Sequence, residues 1–202
     1  MPRAQAILIW AVFVAIMVVP VAVSAFSPLL EWRDPIYIIA GFAGIIGLTI
    51  MLAQPLLVAG SLPGLPAPRG RILHRGGGAF LVLCVVVHVG GLWITSPPDV
   101  IDVLLMRSPT PCAIWGLLAM WAVFIAATWA GLRKRLPLRW WRLGHTGLVA
   151  IAIAGTVPHT LLIYGTMETA TKTLLCAAAI AAVLKVIIAR KAWRIRARHR
   201  AK

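Results

Sequence analysis

Six apolar stretches, each long enough to cross a lipid bilayer as a helix, follow one another along this chain with short connections between them. They run over roughly 7–26, 36–59, 73–95, 112–132, 143–164 and 170–189. A bilayer core accommodates about 20 mostly apolar residues of helix, and backbone groups within it must find their hydrogen bonds inside the segment. Turn formers mark the connections: Ser27-Pro28, the cluster from Pro63 to Pro68, and Ser96-Pro97-Pro98. With 61% hydrophobic and 12% charged residues the chain lacks the polar surface of a soluble domain. The sequence therefore predicts an all-α fold, a six-helix transmembrane bundle forming a single integral membrane domain over 1–202. Its core covers 36–190, and a basic tail follows over 190–202.

The net charge of +15 sits in the connections rather than over a folded surface, which argues for topology and against nucleic-acid binding. Of the 20 lysines and arginines, 17 fall on one side of the six-span alternation, the exceptions being Arg33, Arg107 and Lys172. The acidic residues Glu31, Asp34, Asp99, Asp102 and Glu168 fall on the other. The positive-inside rule then predicts both termini in the cytoplasm of a multi-pass membrane protein, with membrane lipid as its constant partner. The stretch from Met1 to Ser27 has the basic start and small residues of a cleavable signal, but its apolar run is long for one, so a retained first helix is expected. The tail from Arg190 to Lys202 suits an anionic lipid surface.

Four histidines lie inside the apolar stretches, and they repeat one spacing. His74 and His88 are 14 residues apart in the third stretch, and His145 and His159 are 14 apart in the fifth. Fourteen residues of helix rise about 21 Å and return to within about 40° of the starting direction. Each pair therefore shares a helix face, with one member toward each side of the membrane. The third and fifth stretches run in the same direction, so His74 is level with His145 and His88 with His159. An ionisable side chain in lipid is costly and normally faces a partner, a cavity or a cofactor. Two imidazoles facing each other at two levels suit two six-coordinate haems b, held non-covalently because no C-x-x-C-H is present. His74, His145, His88 and His159 are thus the expected iron ligands. His199 has no partner at that spacing and is read as no ligand.

Nearby residues fit the same reading. Gly77 and Gly91 each follow a histidine of the third stretch by about one turn and offer room for a flat ring, although glycines also serve close helix packing. Arg71, Arg75 and Arg142, with Arg139, are candidates to pair with the carboxylates of a group near the cytoplasmic surface. Cys84, Cys112 and Cys176 form no ligand motif and read as packing thiols. No GxGxxG or Walker A motif occurs, and no stretch remains for a nucleotide-binding domain.

Arg-Ile-Leu-His74-Arg followed by His88, and Trp-Trp-Arg-Leu-Gly-His145 followed by Pro-His159, resemble the ferric reductase-like transmembrane domain family, over about 36–190. That family supplies the membrane half of NADPH oxidases and ferric reductases. In size and layout the chain is also similar to its stand-alone bacterial members, such as the haem-binding subunits of periplasmic methionine sulfoxide reductases. The resemblance implies electron flow from a cytosolic flavin through an inner and then an outer haem to an acceptor outside. The chain has no flavin or nicotinamide domain of its own, so a separate flavin reductase is the implied donor and a periplasmic redox protein the implied acceptor. Two other functions fit the same histidines: a quinol-linked cytochrome b subunit, and a haem-free transporter or scaffold.

Overall fold

The structure is a computed structural model that describes residues 1–200, with side chains through residue 189. The readings of the basic tail and of His199 lie outside the described side chains. Seven α-helices account for the fold: α1 (Arg3–Ala25), α2 (Pro35–Ala59), α3 (Ala67–Thr95), α4 (Pro97–Leu104), α5 (Ala113–Gly131), α6 (Leu138–Leu162) and α7 (Thr169–Arg200). All but α4 are long and apolar enough to cross a membrane, as expected. Alternating directions create two ends. One, the basic end, is where α1, α3 and α6 start; the other, the acidic end, is where α2, α5 and α7 start.

The helix boundaries follow local chemistry. Asp34 caps α2 by accepting from the Ile36 N–H at 2.7 Å and the Tyr37 N–H at 3.4 Å. Gly60 ends the same helix in the left-handed region, φ 64°, where a Cβ would be strained. Two helices start earlier than hydropathy suggests: α3 at Ala67 and α6 at Leu138. Pro66 and Pro137 precede these starts, and a proline just before or inside the first turn costs no hydrogen bond that the helix would otherwise make. The first turns of α3 and α6 therefore carry arginines rather than apolar residues. The 96–111 connection is also more ordered than its prolines suggest, because Pro97 and Pro98 start α4 instead of breaking a chain.

Burial does not follow hydropathy among these spans. The most apolar window, in α1, has mean hydropathy 2.9 and is 6% buried, whereas that of α2 is 50% buried. Apolar side chains gain nothing by leaving lipid, so small residues that permit close packing decide which helices go inside. Ala40, Ala43, Gly44 and Gly47 make α2 such a helix, and its Leu48, Met51 and Leu52 join Leu81, Val123, Ile153 and Leu175 in the core. Two close antiparallel pairs, α2 with α3 and α5 with α6, face one another, with α7 packed against both α2 and α6.

Candidate cofactor site

The two histidine levels form as the spacing predicts. His74 and His145 face each other with ring centres 6.2 Å apart and planes at 86°. His88 and His159 do so at 6.4 Å and 82°. These are edge-to-face ring contacts, and the same separation fits a second geometry. Two metal–imidazole bonds of about 2.0 Å, each with about 1.1 Å from nitrogen to ring centre, total about 6.2 Å. Each level therefore has the spacing of two imidazoles sharing one metal atom.

At the acidic-end level both rings are fixed from behind. His88 Nδ1 lies 2.7 Å from the Ala40 carbonyl of α2, and His159 Nδ1 lies 2.9 Å from the Cys112 carbonyl preceding α5. A carbonyl can only accept, so Nδ1 carries the hydrogen in both and Nε2 keeps its lone pair for a ligand. This contact needs the neighbouring backbone to be bare. A Cβ on Gly44 would lie 3.0 Å from His88 Nδ1, and one on Gly116 would lie 2.6 Å from His159 Nδ1 and Cε1. Gly44 and Gly116 each stand four residues beyond the accepting carbonyl, so one device occurs twice, once in each helix pair. Between the rings runs a cavity of about 550 Å³, reaching from Leu48, Met51 and Leu81 at mid-depth to Arg33, Asp99 and Lys172 at the acidic end. That volume lies in the range of cofactor pockets.

The basic-end level is built differently. Gln54 of α2, 8% exposed, faces His74. With its amide nitrogen toward α3 it donates to the His74 carbonyl at 3.0 Å and to His74 Nδ1, while its oxygen accepts from the Gly78 N–H at 3.1 Å. In that arrangement Nδ1 of His74 is an acceptor. His145 instead lies beside Trp141, ring centres 5.5 Å apart and planes 5° from parallel. Trp141 is held by Trp129: each indole N–H donates to the other's carbonyl, at 3.2 and 3.1 Å. The Arg133 guanidinium lies 5.4 Å above the Trp141 ring.

The remaining residues singled out by sequence separate into two groups. Arg71, Arg75 and Arg142 are exposed at the basic end, with Arg75 Nε donating to the Arg71 carbonyl at 3.4 Å. Gly77 and Gly91 face α2: a Cβ on Gly77 would meet the Gln54 side-chain amide at 2.6 Å, and one on Gly91 would meet Ala40 Cβ at 2.7 Å. Both are close-packing positions, and the glycines against the histidine rings are Gly44 and Gly116. Sequence reasoning missed these two, along with Gln54 and the stacking of Trp141 on His145. A signal existed for Gln54, since an amide inside an apolar span is costly unless it has a partner.

No family model matches this chain, and no curated protein or solved structure does so either. The site's own chemistry carries the argument. Among the described residues no group of three or more His, Cys, Asp or Glu is placed to hold a metal ion. A pair of imidazoles suits a metal that arrives with its other ligands in place, and a porphyrin supplies four of them. The residues present fit such a group: ring spacing, Nδ1–H tautomers, bare glycines and an adjoining cavity all agree at the acidic-end level.

Proposed function

We propose that this chain is a two-haem membrane protein that carries electrons across a bilayer. The observation that supports it most is the pairing of four histidines at two levels, each with ring centres at the separation of two imidazoles on one metal. His74 and His145 would hold the basic-end haem b, and His88 and His159 the acidic-end haem b. Bound haem supplies one-electron chemistry, and two imidazole ligands close the iron to other ligands. The protein's part is ligation, tautomer control and an apolar path. Ala40 and Cys112 fix the hydrogen on Nδ1 of the acidic-end histidines, and Gly44 and Gly116 let the rings reach those carbonyls. Leu81 lies midway between His74 and His88, Ala152 midway between His145 and His159, and both belong to the core that excludes water between levels.

The chain's charge distribution supports an orientation with the basic end in the cytoplasm, and the similarity to stand-alone bacterial members supports a bacterial inner membrane. Arg71, Arg75 and Arg142 at that end suit the carboxylates of the basic-end haem. The basic 133–142 connection is a docking place for a cytosolic flavin reductase, and a periplasmic redox protein is the acceptor. The resemblance to the ferric reductase-like family rests on the quoted histidine segments and agrees with this reading.

The test is haem content and spectrum of the purified protein. Two low-spin haems per chain are expected, with a strongly anisotropic ferric EPR signal because the imidazole planes at each level are nearly perpendicular. His88→Ala removes one haem and leaves the other. Purification without haem favours the transporter or scaffold reading, and a His88→Ala protein retaining two low-spin haems overturns the ligand assignment. Fast reduction by a quinol but not by reduced flavin moves the assignment to a quinol-linked cytochrome b subunit.

A further inference from the structure

Lys172 is one of three cations placed at the acidic end by sequence, and it is the buried one. It is 8% exposed. Its Nζ donates to the Ile163 carbonyl at 2.9 Å and the Leu161 carbonyl at 3.4 Å, two groups at the C-terminal end of α6. Those contacts satisfy two of its three N–H groups but supply no counter-charge. The nearest carboxylate along α7 is Glu168, whose two oxygens are engaged by the Ala170 and Thr171 N–H groups at 2.9 Å each. Glu168 also attracts the ammonium, but its carboxylate is fully exposed and held by those N–H groups, a weak counter-charge for a buried cation, so a further charge of opposite sign belongs beside Lys172.

The cavity shows where that charge would sit. Lys172 lines it, as do His88 and His159 deeper in the membrane. Arg33 lines the same mouth, its guanidinium 5.1 Å above the Tyr37 ring. Asp99 also lines it, so two cations face one carboxylate at the acidic end while the depth is largely apolar. A ligand matching this lining is a flat apolar body with acid groups along one edge.

We propose that Lys172, with Arg33 across the mouth, anchors the carboxylates of the molecule in this cavity. On the two-haem reading, on which this inference rests, these are the propionates of the haem between His88 and His159, and they point toward the acidic end. Lys172 is a positioning residue, and its charge favours the reduced state of that haem.

The experiment is a redox titration of the purified two-haem protein in native, Lys172→Met, Lys172→Arg and Arg33→Gln forms, each loaded with haem and with haem dimethyl ester, in which the propionates are neutral. Lys172→Met should lower the midpoint of the haem that His88→Ala removes, and only that one, because losing a cation leaves the ferric state favoured. Lys172→Arg should restore it. With the dimethyl ester the difference between native and Lys172→Met should shrink, since no carboxylate remains for the ammonium to hold. An unchanged midpoint, or a shift of equal size with the ester, overturns the anchor while leaving the haem reading intact. If Lys172→Met does not fold, Arg33→Gln at an exposed side chain makes the same comparison, with a smaller shift expected and the same result overturning the proposal. A native protein purified without haem defeats the underlying two-haem reading, and the inference with it.

Discussion

At Gly44 and Gly116 the missing side chain is what allows a histidine to be aimed. His88 and His159 reach their backbone acceptors only because no Cβ stands in the way, and the margins differ. A Cβ at Gly44 would lie 3.0 Å from the His88 ring, a clash that a small displacement relieves. At Gly116 the distance would be 2.6 Å, so the ring must leave the Cys112 carbonyl. Losing the partner of a metal-bound imidazole typically costs about 10–100-fold in affinity. Gly116→Ala should therefore lower haem affinity at the acidic-end level by about 10–100-fold, and Gly44→Ala by less. Titrating haem into the apoprotein measures both, and equal affinities in native and Gly116→Ala protein would remove the argument. Gln54 controls His74 by another route. While its amide donates to Nδ1, the His74 hydrogen sits on Nε2; ligation through Nε2 requires the amide to present its oxygen instead and the hydrogen to move to Nδ1. Gln54→Glu offers an acceptor only. It should strengthen ligand basicity and lower the midpoint of the basic-end haem without moving the other, as a redox titration would reveal.

Among the elements, α2 serves α3 at both levels, presenting the Ala40 carbonyl to His88 and the Gln54 side chain to His74. Its counterpart α5 serves α6 at both levels: the Cys112 carbonyl just before α5 holds His159, and Trp129 of α5 holds Trp141, which stacks on His145. The histidine ladders were legible in the sequence because helical periodicity converts a repeated spacing directly into a shared face. Their acceptors were not, because a backbone carbonyl leaves no mark in a sequence and any residue type can supply one. Gly77 and Gly91 misled for a related reason. They share a face with the histidines, but that face of α3 packs against α2, so the space beside them belongs to a helix rather than a ligand. The start of α7 carries its own prediction. Hydrogen bonds from the Ala170 and Thr171 N–H groups hold the exposed Glu168 carboxyl below the ordinary carboxylate range. A depressed carboxyl pKa means the cap is fully in place above that ordinary range and is lost as pH falls through the lowered value. Glu168→Ala should raise amide exchange at Ala170 and Thr171 near neutral pH, and the native protein should approach the variant's behaviour only in acid. Because Lys172 lies in the same first turn, this cap also steadies the cation at the cavity mouth.

At the scale of the whole molecule, the proposed electron path puts the two levels in series. Fourteen residues of helix separate them by about 21 Å, most of the thickness of a bilayer core of about 30 Å. Neither level alone spans the membrane, and the core between them is built from apolar side chains such as Leu81, Val123, Ala152 and Ile153. Charge is also divided: all five acidic residues belong to one end and most of the cations to the other. Fixed cations stabilise an added electron, so the basic-end level should be the more readily reduced where other influences are equal. A serial arrangement makes a demanding prediction. In sealed vesicles with ferricyanide trapped inside and dithionite outside, the native protein loaded with haem should, on the proposed reading, reduce the trapped acceptor. His88→Ala and His145→Ala each break a different level, and both should fall to the rate of protein-free vesicles, although each keeps one haem. Additive partial losses, with each variant near half the native rate, would mean two independent paths and would rule out a single wire through both histidine levels.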